Sequence, residues 1–226
     1  MSAGDTWSDP ILAVYGGSFD PPHVAHVLVA AWAKSVAAVD EVLVVPTWAH
    51  AFGKRSAPFE HRVAMCEAAF RDLPFVRVSR IEQTLGAPSR TWRTLEALRK
   101  ERPDARFRLV IGADILGDTH RWERWDEVAA AAPPLVVGRE GHAPAPGPCP
   151  VALPDVSSTE IRDRLAAREP VEGWLPPGVA QIVLDRGLYV DGDVHDRKTV
   201  PGDLSAVPSV HDRETRPDGI EDEDPA

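Results

Sequence analysis

Short runs of consecutive apolar, mostly β-branched residues, separated by long helical stretches, constrain this chain more than any other feature. Ile11–Tyr15, Glu41–Val45, Phe75–Val78, Phe107–Ile111 and Leu135–Val137 read as strands, and most are continuously apolar instead of alternating. A strand of that kind is buried on both faces, as in a parallel sheet covered by helices. The stretches between them, His23–Ala38, Pro58–Arg71, Thr91–Arg102 and Trp122–Ala131, are rich in Ala, Leu and Arg and are bounded by Pro, Gly or Asp. Those are helix-forming compositions with helix-ending flanks. The order βαβαβαβ therefore predicts an α/β fold, a doubly wound parallel sheet with helices on both faces. In such folds ligands bind outside the carboxyl ends of the strands, so function is sought just after each strand.

From Asp191 onward the aromatic residues vanish and Pro, Gly and Asp dominate. Such a segment cannot bury enough apolar surface to offset the entropy of ordering. We expect a domain over residues 1–190 and a disordered acidic tail over 191–226. The tail holds eleven acidic and four basic residues, so of the net charge of −10 the first 190 residues carry only −3. A near-neutral body argues against a broad nucleic-acid surface. Cys66 and Cys149 lack a CxxC neighbour, which excludes a disulfide scaffold and a cysteine-based zinc site and fits a reducing cytoplasm. The N-terminal stretch Met1–Pro10 has no basic signal-peptide region, and Pro133 and Pro134 interrupt the best candidate for a membrane helix.

Two segments could carry chemistry. The first strand runs into Gly16-Gly17-Ser18-Phe19-Asp20-Pro21-Pro22-His23-Val24-Ala25-His26. Paired glycines after a buried strand allow close approach of the backbone to a ligand, and a helix starting near Pro22 offers unsatisfied N–H groups to an anion. His23 and His26 fall roughly 60° apart on that helix, where both imidazoles can donate to phosphate oxygens. A metal site from Asp20, His23 and His26 is disfavoured, because residues so close in sequence rarely converge on one ion. The GxGxxG fingerprint and the P-loop are both absent. The second segment is Val156-Ser157-Ser158-Thr159-Glu160-Ile161-Arg162. Ser157 with Glu160 three residues on has the form of a capping box, so a helix opens here with hydroxyls, N–H groups and Arg162 at its mouth. Taken alone, each segment could equally be a plain helix start.

Together the two segments carry a resemblance. GGSFDPPHVAH is similar to the GGxFDPxHxxH signature, and VSSTEIR to the ISSTxIR signature, of the nucleotidyltransferase superfamily that includes the bacterial nicotinate-nucleotide adenylyltransferases. Between them, Pro88-Ser89-Arg90-Thr91-Trp92-Arg93-Thr94-Leu95 resembles the family's PSYTxxTL stretch, and Leu109–Asp114 its FIIGxD strand end. Trp122 falls where the family keeps a tryptophan, Arg62 with Met65 fits its RxxM helix, and Leu175-Pro176 with Gly187-Leu188-Tyr189 fits its ending. The resemblance spans about Ile11 to Tyr189. Departures are Ala25 for the family's glycine, Arg90 for its tyrosine, and the loop Trp48-Ala49-His50-Ala51-Phe52-Gly53-Lys54 for its PPHK.

The resemblance implies a Rossmann-like fold and attack by a mononucleotide phosphate on the α-phosphorus of ATP, releasing pyrophosphate in NAD biosynthesis. The acceptor would be nicotinate or nicotinamide mononucleotide. It implies His23 and His26 on the ATP phosphates, with Lys54 and Arg162 as further cations. Gly16, Gly17, Ser18 and Phe19, together with Ser157, Ser158 and Thr159, would contact ATP. Gly112 and Asp114 would meet its ribose, although Asp114 could instead be a helix N-cap. Trp122 would stack on the pyridine ring with Thr91 facing its carboxylate or amide. Arg90, if it points inward, would pair with a nicotinate carboxylate. Mg²⁺ would accompany ATP, and no protein-built metal site is expected. Arg62, His61, His120 and His142 read as surface or structural residues. Another phosphate acceptor, or a non-catalytic nucleotide-binding module, are the alternatives. No nucleic-acid or membrane partner is expected, and a homo-oligomer is left open.

Overall fold

The computed structural model describes residues 9–49, 56–139 and 152–190. Lys54 and its loop, His142, Cys149 and the acidic segment 191–226 lie outside the described residues. Among the described residues six strands form one sheet: β1 (Ile11–Gly17), β2 (Glu41–Pro46), β3 (Val76–Val78), β4 (Arg106–Gly112), β5 (Pro134–Arg139) and β6 (Ala152–Leu153). Their order is β3-β2-β1-β4-β5-β6 and every pair is parallel. The chain winds outward from β1 to β3, then crosses back to lay β4 on the other side of β1. That reversal opens a crevice beyond Gly17 and Gly112, at the carboxyl ends of β1 and β4.

Alternation along the central strands divides the core in two. Ala13, Val42, Val44 and Val110 face one side, where α1 (Val24–Val36), α2 (Phe59–Ala69), α7 (Ser158–Ala166) and α8 (Pro177–Asp185) supply Ala30, Ala33, Cys66, Ile161 and Val179. Leu12, Val14, Leu43, Val45, Leu109 and Ile111 face the other. There α3 (Ile81–Leu85), α4 (Thr91–Glu101) and α6 (Trp125–Ala131) contribute Ile81, Leu95, Leu98 and Val128. Both faces are covered, which is why the strands read as unbroken apolar runs.

The expected helix over Trp122–Ala131 is corrected. Thr119–Arg121 form a 3-10 turn, Trp122 is extended, and α6 starts at Trp125. Arg124, in the left-handed region at φ 57°, separates the two. Its guanidinium donates to Glu127, lies 3.8 Å from Glu96 and sits 4.4 Å over the Trp92 ring, contacts that offset a backbone cost of about 1–2 kcal/mol. Asp114 is not an N-cap: Gly112 caps α5 (Ala113–Leu116), which therefore starts directly at the end of β4.

Candidate active site

The loop leaving β1 is held from beneath by an aromatic cluster. Phe19 is buried with φ 47°, an unusual conformation for a bulky residue and one that turns the chain sharply toward α1. Its ring meets Tyr15 edge-on at 5.4 Å and His26 at 4.9 Å. A Cβ on Gly17 would lie 3.2 Å from that ring, whereas one on Gly16 would meet no atom within 4 Å. Gly17 is thus small for packing reasons, and Gly16 leaves its exposed backbone open to approach from solvent.

His23 is the N-cap of α1 and is buried, and its ring lies 3.8 Å from that of His26. The His23 N–H donates to His26 Nδ1 at 3.1 Å. An accepting Nδ1 puts the His26 proton on Nε2, so this imidazole is a donor through its far nitrogen. One expectation changes here. The first N–H groups of α1 are largely committed, with His23 N–H on His26, Val24 N–H on the Trp174 carbonyl at 2.9 Å and His26 N–H on the His23 carbonyl. An anion at this helix start would meet imidazoles more than backbone.

The second segment comes to the same place. Ser157 caps α7, its hydroxyl accepting from the Glu160 N–H at 3.1 Å, while the Glu160 carboxylate turns to Arg164 at 3.6 Å. Ser158 donates to the Pro21 carbonyl at 2.9 Å. Arg162 donates to the Asp20 carbonyl at 2.7 Å and to the Thr159 hydroxyl at 3.1 Å. Residues more than 130 positions apart thus build one wall, with the hydroxyls of Ser158 and Thr159 and the Arg162 guanidinium beside the β1–α1 loop.

Three buried polar residues that sequence reasoning did not assign to the site hold this wall. Asp20, 1% exposed, accepts from the Ala57 N–H and the Tyr189 hydroxyl through Oδ1, each at 2.9 Å, and its Oδ2 lies 3.7 Å from Arg162 Nη1. Burial, followed by the Asp20 charge and the bond to it, pushes the Tyr189 hydroxyl far above its usual range. Arg62, 2% exposed, donates to the carbonyls of Ala57, Ser18 and Thr47 at 2.7–2.8 Å. Burial lowers its pKa and the Asp20 charge acts against that. The signal for Arg62 was available: it shares the helix face of Phe59, Val63 and Cys66, where a charge needs internal partners. Asp20 and Tyr189 stood inside matched motifs, but nothing in their spacing announced that they touch.

On the β2 side, Glu82 is buried and accepts from the Trp48 N–H and the Thr94 hydroxyl, each at 3.0 Å. Ala49 and Ser89 exchange two further bonds, Ala49 N–H to the Ser89 hydroxyl and Ser89 N–H to the Ala49 carbonyl. The exit of β2 is thereby fixed to the segment that opens α4. Arg90 caps α4 and Thr91 is its first residue. Arg90 Nε donates to Glu123 at 3.1 Å, which brings Arg90 and Thr91 to the neighbourhood of Trp122. The Trp122 ring packs edge-on against Trp125 at 5.6 Å and is half-buried. Gly112 closes β4 as expected, whereas the Asp114 side chain lies outside what the structure describes.

The cytidylyltransferase-like family model matches residues 14–164, most of the described residues, and includes both the Gly16–His26 and the Val156–Arg162 segments. The chain belongs to that family. Within it, the relatives include a nicotinate-nucleotide adenylyltransferase of Anaeromyxobacter sp. strain K, 50% identical over 79% of this chain and 96% of that protein. The protein of the same name from Myxococcus xanthus is 41% identical over 79% of this chain and 94% of its own length. Among solved structures, the Plasmodium falciparum nicotinic acid mononucleotide adenylyltransferase complexed with NaAD superposes with a TM-score of 0.68 at 19% identity, over 80% of this chain and 97% of that one. At that identity the structural match establishes the fold, and the sequence relatives place the chain with the nicotinate-nucleotide adenylyltransferases. Among the described residues no helix is long and apolar enough to cross a membrane.

Proposed function

We infer that this protein transfers the adenylyl group of ATP to nicotinate mononucleotide, forming the dinucleotide and pyrophosphate. The observation that carries the site assignment is the closure of the Ser158–Arg162 helix start onto the β1–α1 loop, through the Arg162–Asp20 and Ser158–Pro21 bonds. It gathers two imidazoles, two hydroxyls and a guanidinium at the carboxyl end of β1, where a nucleotide binds in a doubly wound sheet.

The acceptor phosphate is already an anion at neutral pH. Its oxygen attacks the α-phosphorus of ATP, the bond from that phosphorus to the bridging oxygen breaks, and the electron pair leaves on pyrophosphate, so no general base is required. Catalysis then reduces to holding two polyanions in line and balancing charge on the phosphoryl oxygens. In this reading His26 donates from Nε2, His23 flanks it, and Gly16, Gly17 and Ser18 give close backbone approach with Phe19 beneath. Ser158, Thr159 and Arg162 grip the β- and γ-phosphates, with Ser157 holding their helix open, and Lys54 is a further cation from the β2 loop. Gly112 and Asp114 face the ATP ribose. Trp122, Thr91 and Arg90 hold the pyridine end. Mg²⁺ would come with ATP as part of the substrate and would supply positive charge against its phosphates, with the side chains above holding the nucleotide. The enzyme works in the cytoplasm, a compartment with which the free buried thiol of Cys66 agrees.

Pyrophosphate release from MgATP with nicotinate mononucleotide and, in parallel, nicotinamide mononucleotide tests this. Turnover with the nicotinate acceptor is expected, and the ratio between the two reads the pyridine pocket. Silence with both, in protein that binds ATP, would overturn the assignment.

A further inference from the structure

We propose that Tyr189 is a positioning residue that keeps Arg162 available to the ATP phosphates by holding the Asp20 carboxylate off it. The proposal rests on the reading above, in which Arg162 grips those phosphates. Asp20 is buried and Arg162 half-buried, and the two are opposite in charge and adjacent, yet they do not form the close ion pair that two such groups form when free to turn. The separation of Arg162 Nη1 from Asp20 Oδ2 is 3.7 Å, and Oδ2 receives no hydrogen bond. The reason lies on the other oxygen. Oδ1 receives two donors, the Ala57 N–H and the Tyr189 hydroxyl, which together fix the plane of the carboxylate. Arg162 is meanwhile anchored by neutral acceptors, the Asp20 carbonyl and the Thr159 hydroxyl, which direct it without cancelling its charge.

A guanidinium locked in a two-point pair with a carboxylate is a poor phosphate ligand, because an incoming anion must first break that pair. Removing the Tyr189 hydroxyl leaves Oδ1 with one donor and frees the carboxylate to rotate onto Arg162. The residue that prevents this comes from the far end of the domain, 169 positions after Asp20, and is itself buried.

The test measures MgATP affinity by titration calorimetry, KM and kcat, and melting temperature for Tyr189→Phe in the full chain, alone and combined with Arg162→Gln. Phenylalanine keeps the buried ring and removes only the donor. We expect ATP affinity to weaken about tenfold and KM to rise in step, with kcat changing less, the size of one lost bond to a charged group. In the neutral Arg162→Gln background the same substitution should change affinity by less than about twofold, since the cation it protects is gone. The proposal is overturned if Tyr189→Phe lowers the melting temperature but leaves ATP affinity intact, or if its effect is undiminished in the glutamine background. If Arg162→Gln alone leaves ATP affinity unchanged, the phosphate-gripping role itself fails, a result distinct from either.

Discussion

Replacing Arg62 by alanine should unfold this protein at a markedly lower temperature, because the residue is buried and its bonds run to loop backbone. The guanidinium makes three bonds, to the carbonyls of Ala57, Ser18 and Thr47, and is the second cation, with Arg162, in the surroundings of the buried Asp20 carboxylate. Each buried acceptor left without a donor costs about 1–3 kcal/mol. The bond to Ala57 is fully buried and the other two partly so, so water can relieve part of the loss and the lower end of the range applies to them. A total of about 3–5 kcal/mol results, the size expected when one partner of a buried charge pair is removed. For a domain of this length that lowers the melting temperature by about 10 °C, at roughly 2–4 °C per kcal/mol. Differential scanning calorimetry reads it directly. Arg62→Lys should fall between wild type and alanine, because a single ammonium keeps the charge but cannot reach three separated carbonyls. A melting temperature for Arg62→Ala within about 2 °C of wild type would refute the reasoning, since it would mean that the three carbonyls find other donors at no cost.

Further consequences can be measured on the same protein. Gly16→Ala should melt like wild type, because its Cβ meets no protein atom, and should weaken ATP binding if the nucleotide lies against that backbone. Gly17→Ala should cost about 1–2 kcal/mol, because its Cβ meets the buried Phe19 ring at 3.2 Å. Burial and the neighbouring Arg186 lower the His61 pKa, so the unfolded chain takes up this proton before the folded one. That stability is present above the ordinary histidine pKa of about 6.5 and is lost as the pH falls below it. His61→Gln should therefore flatten the decline of melting temperature between about pH 7 and 5. Cys66 is fully buried and its thiol is pushed far up by burial, so in a Cys149→Ser background a thiol reagent should label it only after unfolding.

The fold was legible because its code is local and redundant. Each central strand is apolar on both faces, so Ile11–Tyr15 and Phe107–Ile111 could be located within one or two residues of their observed ends. The helix boundary at Trp125 was hidden because it depends on Arg124, whose left-handed backbone is supported by Trp92 and Glu96 from another helix. No window of sequence around Arg124 contains that information. The short helices Ile81–Leu85 and Ala113–Leu116 were missed because, at five and four residues, neither spans two turns, so no apolar repeat can show. At the candidate site, the Gly16–His26 and Val156–Arg162 segments were legible as helix starts, and their meeting was implied only by resemblance. The commitment of the first α1 N–H groups to His26 and Trp174 was not legible, because the Trp174 carbonyl arrives from 150 positions away.

What sequence reasoning ranked as chemistry and what it set aside as structure prove to be one network. Arg62 was grouped with the surface or structural residues, yet it fixes Ser18, in the β1–α1 loop, to Thr47, directly after β2. Asp20 was a motif letter, yet it joins Ala57, Arg162 and Tyr189 at the point where the β1–α1 loop meets the start of α7. Phosphoryl transfer without a base depends on distance and alignment above all, so groups that set the separation of two loops bear on rate as directly as those that touch phosphate. Such groups must be polar to bind loop carbonyls and buried to be rigid. A sequence presents them as single charged letters within apolar helix faces or at the ends of motifs, as with Arg62 among Phe59, Val63 and Cys66. A buried charge with all its bonds on loop backbone is thus the feature by which the supporting layer of a site can be found before any ligand is seen.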